Sequence, residues 1–285
     1  MSLSAFAGGG WTLQKGEVWI QTSATYINGE SLFTGTDPFR TLQRPISDLT
    51  IQLYGEYGFS DKLTLMGSLP FKFLSSTGDP VGSLDFDTLE EGSMKWFGNY
   101  RLGAKYRVSP NGAPLAVSVL GWIESNNSDM NQYTGLQTGY NAWSFSPGIA
   151  LGKSFEKSYL SVDAIFTFRT NQHSEELGIN MEYGFKIMDS WWLAGVLSVQ
   201  KSLKNGEYKN CNFEQTGLYA NNQESVNYGI KALVPIKSGL GVTAAVYGSL
   251  YGDKLPAYPS LNFGIYWNGK TAKKQEDKLI ITPKF

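Results

Sequence analysis

Charged residues in this chain recur at every second position inside segments whose alternate positions are apolar. In residues 101–108, Arg101, Lys105 and Arg107 share one parity, while Leu102, Ala104, Tyr106 and Val108 share the other. In 177–187, Glu182 and Lys186 oppose Ile179, Met181, Tyr183, Phe185 and Ile187. Lys72, Arg169 and Lys231, together with Glu17, Asp48, Glu56, Glu124 and Asp163, sit on the equivalent face of their own segments. Ionisable groups at membrane depth persist only where they face water or one another. A one-sided charge pattern of this kind marks either a solute path or an interior lattice of ion pairs.

Other reactive side chains are scarce. The single histidine, His173, lies in Asn171-Gln172-His173-Ser174-Glu175-Glu176 beside a serine and two carboxylates. Serine and histidine on a barrel wall are the raw material of a lipid hydrolase, yet such chemistry needs the histidine to hold the serine and a third group to orient it. Neighbours in one short loop do not supply that geometry, so no catalytic residue is assigned. One cysteine, Cys211, permits neither an intramolecular disulfide nor a thiolate metal cluster. The acidic run Asp79, Asp85, Asp87, Glu90 and Glu91 lacks EF-hand spacing and reads as a solvated loop. No metal and no cofactor is expected. A net charge of −1 removes the basic footprint of a nucleic-acid binder.

The elements that carry these residues are strands. Period-two alternation runs through almost the whole chain: in 48–59, for example, Leu49, Ile51, Leu53, Tyr57 and Phe59 oppose Asp48, Thr50, Gln52, Tyr54 and Glu56. No apolar run approaches the roughly 20 residues of a spanning helix. Tight links at 60–62, 109–114, 156–158, 188–190 and 237–239 alternate with longer polar segments at 28–47, 75–94, 125–140, 170–176, 204–225 and 252–260. Short turns on one rim and long loops on the other predict an all-β fold. It is a transmembrane antiparallel up-and-down β-barrel of about 12 strands, with short periplasmic turns and long extracellular loops. The strands begin near Glu17, Ser47, Leu63, Asn99, Leu115, Ala142, Tyr159, Leu177, Trp191, Val226, Leu240 and Leu261.

Outward aromatics sort by height in this scheme. Tyr57, Phe59, Tyr106, Phe155, Tyr183, Phe185 and Trp267 fall near the short turns; Tyr26, Phe71, Phe73, Trp143, Phe145, Phe166, Phe168 and Tyr228 fall toward the long loops. Two such bands match the girdles at the two membrane interfaces, which a soluble β-sandwich has no reason to build. The mean hydropathy of −0.24 agrees, because a barrel shows lipid only one residue in two. Residues 1–16 read as the remnant of an export signal and a periplasmic segment, 17–267 as the barrel and 268–285 as a charged periplasmic tail. Twelve strands spaced ~4.8 Å apart and tilted ~40° give a backbone radius of roughly 12 Å and a lumen narrowed to a few ångströms by long side chains. Pro70, Pro147 and Pro235 lie inside strands, as kinks, a lateral opening, or bulges near a rim.

Several segments resemble a bacterial outer-membrane family named for the meta-pathway of phenol degradation. They are Gly9-Gly10-Trp11-Thr12-Leu13-Gln14-Lys15-Gly16-Glu17, the stretch from Phe97-Gly98-Asn99-Tyr100 to Arg107, Leu69-Pro70-Phe71, and Leu233-Val234-Pro235. The resemblance implies a transport barrel, and the family name points to hydrophobic or aromatic solutes. The chain departs from barrels that finish on an aromatic strand end, since Tyr266-Trp267 is followed by the tail and then Phe285.

The reading is therefore an outer-membrane channel, not an enzyme, for passive passage of small solutes. It stands as a monomer in outer-membrane lipid and lipopolysaccharide, lined by Lys72, Arg101, Lys105, Arg107, Glu56, Glu124, Asp163, Arg169, Glu182, Lys186 and Lys231. The alternatives are an outer-membrane lipid hydrolase using His173 and a non-conducting structural barrel. If the pore is open, the Arg101, Lys105 and Arg107 stripe predicts a modest anion preference. Topology is directly testable: on intact cells a membrane-impermeant thiol reagent should label Cys211 and spare thiols engineered at Asp61 or Asp189. The opposite labelling pattern means an inverted orientation.

Overall fold

The computed structural model describes residues 9–270, apart from 36–38, 81, 83–87, 189, 210–215 and 217. Cys211, Asp85, Asp87 and the tail beyond 270 lie outside the described residues, so the expectations placed on them stand as sequence expectations.

Thirteen strands follow one another: β1 (Glu17–Thr34), β2 (Arg40–Ser60), β3 (Leu63–Ser76), β4 (Gly92–Phe97), β5 (Arg101–Arg107), β6 (Ala116–Glu124) and β7 (Ser144–Ser154). After them come β8 (Ser158–Arg169), β9 (Glu176–Lys186), β10 (Trp192–Ser202), β11 (Glu224–Lys237), β12 (Leu240–Pro256) and β13 (Ser260–Lys270). All ladders are antiparallel, consecutive strands pair except β4 with β5, and β1 closes on β13 over eleven residue pairs from Glu17↔Lys270 to Ile27↔Ser260. Each of β4 and β5 pairs with one half of β3, so the two together form one stave of a twelve-stave barrel. Closure through the β1–β13 ladder pairs strand edges with one another, which is what hydrocarbon demands of a sheet.

The expected alternation holds in space. In β3 the burial pattern alternates along the whole strand, with Thr64, Met66, Ser68, Pro70, Lys72, Leu74 and Ser76 buried and the intervening residues exposed or half-buried. Outward aromatics are exposed in both bands, among them Tyr57, Phe59, Tyr106 and Tyr183 below and Tyr26, Phe73, Phe145 and Tyr228 above. A closed barrel with an apolar outer belt between two aromatic bands is an outer-membrane protein.

The structure corrects the element boundaries in three respects. The expected loops at 28–47, 75–94 and 252–260 are partly strand, because β1, β2 and β12 run on above the girdle and β1 pairs with β12 at Leu32↔Pro256 and Phe33↔Leu255 where β13 has ended. These extensions have a core of their own, with Leu32, Leu42, Ile46 and Leu74 packed against Leu136 and Leu218 from the loops. At the other end the barrel reaches Lys270 rather than stopping at Trp267, since Asn268, Gly269 and Lys270 continue the ladder opposite Trp19, Val18 and Glu17.

Third, the stave expected to begin near Asn99 starts at Gly92 and breaks at Gly98-Asn99-Tyr100. Pro70 faces the break on β3; its carbonyl accepts from the Gly98 amide at 3.0 Å, but it has no N–H to return. β4 has no ladder to β6. The 125–140 loop takes that place, with Thr138 Oγ1 donating to the Phe97 carbonyl and the Asn99 amide donating to the Ser125 and Tyr140 carbonyls. Pro147 lies where the β7–β8 register skips from Phe145↔Phe168 to Gly148↔Ile165, and Pro235 lies at a register shift by the lower rim.

Face assignment can be tested by stability. Leu53→Arg and Ile179→Arg, on the lipid face, should each destabilise the barrel by about 2–4 kcal/mol, whereas Asn180→Arg, facing the lumen, should cost less. Equal costs on both faces, read by urea unfolding in liposomes, reject the assignment.

Candidate functional site

The lumen is divided. At its periplasmic end residues 9–16 turn into the barrel instead of hanging below it, and they bond to inward-facing groups. Ser118 Oγ donates to the Gly10 carbonyl at 2.7 Å, the Leu13 amide donates to Thr64 Oγ1 at 2.9 Å and Lys105 Nζ donates to the Gly9 carbonyl at 3.4 Å. Two glycines make room for this segment. A Cβ on Gly58 would lie 2.0 Å from the Gln14 carbonyl oxygen, and one on Gly152 would lie 2.9 Å from the Trp11 ring.

Above this plug is a cavity of about 320 Å³, lined by Asp48, Lys72, Arg101, Glu124, Asp163, Arg169, Glu176, Glu182 and Lys231 among serines, asparagines and a few apolar groups. A second cavity of about 30 Å³, lined by Glu56, Lys105 and Asp163, lies against Gly9. Of the residues expected to line a pore, nine border these spaces. Arg107 and Lys186 do not. Arg107 bonds Ser109 Oγ and the Pro110 carbonyl beside a short turn, and Lys186 is exposed at the end of β9.

The cations in the lumen are tied down. Lys72 Nζ lies 2.6 Å from Asp48, Arg101 Nε 3.2 Å from its cross-strand partner Glu124, Arg169 2.5 Å from Glu176 and Lys105 3.9 Å from Glu56; Lys231 bonds Glu182. The expected anion-favouring stripe of Arg101, Lys105 and Arg107 is therefore not formed. Two of its charges are matched by carboxylates, and the third sits at the rim.

Of the inward aromatics, parity places Tyr54 on the inner face, whereas Trp19 and Trp122 escaped the sequence reading. Trp19 stacks on Tyr266 at 4.4 Å, and Tyr54 and Trp122 pack with Met66 in a cluster against which Trp19 rests. For Trp19 and Trp122 the available signal was their parity with Gln21 and Glu124. Glu176 and Tyr140 were also missed. Tyr140, from the 125–140 loop, lies under the Arg169 guanidinium at 4.3 Å and donates to Gln223.

His173 is buried at the extracellular end, stacked 4.1 Å from Tyr208 and edge-on to Tyr140, with neither ring nitrogen hydrogen-bonded. Ser174 Oγ instead meets Asn222 Oδ1 and accepts from the Gly206 amide. The serine–histidine contact that the hydrolase alternative requires is not made. Burial, reinforced by the Arg169 charge, lowers the imidazole from its ordinary value to about 4.

The profile described as "Putative MetA-pathway of phenol degradation" matches residues 46–257. The chain belongs to that family. A solved outer-membrane channel from Pseudomonas putida F1 is similar to this member of the phenol-degradation family at 15% identity, with TM-score 0.73 over 93% of this chain and 100% of that one. The KdgM porin matches at 6% identity and TM-score 0.49 over 87% of this chain and 98% of its own. A mutant of the TodX monoaromatic hydrocarbon channel matches at 9% and 0.46 over 91% of both chains. The first likeness shows the fold, and the other two are at the level of barrels in general. No curated protein matches.

Two outcomes follow for this family member. Lys72→Met strands Asp48 and should destabilise the barrel by about 3–5 kcal/mol, while Lys72→Met with Asp48→Leu should recover most of the loss in thermal unfolding. An uncorrected double mutant rejects the pair as a unit. In addition, below pH 6.5 an opened 170–175 loop takes up a proton that the closed loop refuses until about pH 4. The closed form should lose stability as pH falls through that window and level off beneath it. Hydrogen exchange of the Ser174 and Tyr208 amides reads this, and His173→Phe should flatten the profile.

Proposed function

We propose that this barrel is an outer-membrane channel for passive passage of small solutes. It works as a monomer, because the β1–β13 ladder closes the wall on itself and the barrel presents its apolar belt to outer-membrane lipid and lipopolysaccharide. The observation that carries the transport reading is the cavity above the plug, whose charged and hydroxyl-bearing lining keeps a polar space inside a hydrocarbon-facing wall. A barrel that served only as a rigid wall has no need to keep that volume unfilled, since packed cores leave few voids larger than water.

The family's name supports hydrophobic or aromatic solutes. Inward rings such as Tyr140 and Tyr219, which border the cavity, give such a solute apolar contact beside the ion pairs. The plug restricts the path at its lower end through few bonds, so it sets the conductance more than the paired side chains do.

Planar-bilayer recording and liposome swelling test this. The full chain should pass small currents, and deletion up to Gln14 should raise conductance severalfold while the barrel stays folded. Absence of conductance and swelling in both forms overturns passage through the lumen.

A further inference from the structure

We propose that Asp163 forms a binding subsite in the lumen for the ammonium group of a small organic cation. Among the described residues the two cavities are bordered by six carboxylates, Asp48, Glu56, Glu124, Asp163, Glu176 and Glu182, and by five cations. Each cation lies within 4.0 Å of a carboxylate other than Asp163. One negative charge is left over, and it is that of Asp163.

Position supports the same assignment. On the sheet Asp163 faces Ala150 on one side and Asn180 on the other, neither of which can neutralise it. The Gly9 backbone bonds the carboxylate from the plug side, while its Oδ1 is left without a hydrogen-bond partner. Lys105, whose charge also reaches Asp163, is turned to Glu56 and to the Gly9 carbonyl. A buried carboxylate oxygen without a partner is costly, and a mobile cation is the species that relieves it.

The chemistry narrows the ligand. Divalent metal ions want several oxygen ligands in a fixed cage, and no cluster of three or more ligating side chains exists among the described residues. Asp163, Ile165 and Asn180 border both cavities, so the acidic oxygen sits beside an apolar side chain and an amide. A singly charged ammonium with a short carbon body satisfies all three. Because Asp163 lies next to the plug, such a solute is held at the last point before the periplasmic constriction. This assignment deepens the channel reading and rests on it only for how the solute arrives.

Binding and conduction are tested separately, so that the two readings can fail independently. Isothermal titration of 2-phenylethylammonium chloride into the full chain in detergent, against a micelle blank, should show saturable binding. Asp163→Asn should weaken it at least tenfold, Asp163→Glu should retain it, and the neutral analogue 2-phenylethanol should bind the parent and the Asn variant alike. Gel mobility of unheated samples checks that each variant is a folded barrel. Equal affinity in the parent and Asp163→Asn overturns the subsite, as does no binding to the parent. Displacement by potassium chloride as readily as by the amine overturns the organic-cation assignment. In bilayers under a salt gradient the parent should reverse toward cations and Asp163→Asn should lose that shift; an unshifted parent current also counts against the subsite. A silent bilayer with intact binding removes the channel reading and leaves the subsite standing.

Discussion

Inside a bilayer no water is present to accept a backbone hydrogen bond, and every other feature of this protein follows from that constraint. A strand can cross only if both of its edges are paired, so twelve staves must close. The ladder between β1 and β13 is where closure is achieved, by residues at opposite ends of the chain. The same constraint explains how the wall tolerates the break beside Pro70. Pro70 cannot donate to the neighbouring stave, which breaks at Gly98-Asn99-Tyr100, and the carbonyls on the far side of the break are met by Thr138, Asn127 and the Ser125 amide from a loop folded into the gap.

Closure creates an interior, and the interior has a second rule of its own. Charged side chains that face inward cannot reach bulk water along the whole barrel, so they bond to one another across neighbouring strands. Arg101 and Glu124 are direct cross-strand partners, Lys72 reaches diagonally to Asp48, and Lys105 and Lys231 span an intervening stave to Glu56 and Glu182. Such pairs position groups more than they add net stability, because desolvation offsets much of the attraction. What they leave behind is a cavity whose cations are occupied and whose spare charge is a single carboxylate.

The two ends of the lumen are built on different physics. Below, residues 9–16 lie on glycines and small side chains through a handful of hydrogen bonds, an arrangement suited to a removable constriction. Above, strand extensions and loops share a true apolar cluster around Leu32, Ile46, Leu136 and Leu218, and the His173, Tyr140 and Tyr208 rings pack beside the Arg169–Glu176 pair. Among the described residues, the extracellular side is therefore a folded cap rather than a set of free loops.

The fold class, the number of staves and the face on which most charged side chains lie were legible in the amino-acid order. A two-residue period assigns faces without any long-range information, and turn lengths assign rims. Nine of the residues chosen for their inward parity border the lumen cavities for that reason. Partner choice was not legible: whether Lys105 meets Glu56 or Asp163 depends on register and on reach across staves, which pattern alone does not specify. Arg107 and Lys186 had the right parity but the wrong height, because parity says nothing of depth near a rim. The inward course of residues 9–16, the broken stave opposite Pro70 and the burial of His173 between two tyrosines were decided only by the closed tertiary structure. Each depends on contacts between segments far apart in the chain, and those contacts exist only once the barrel has closed.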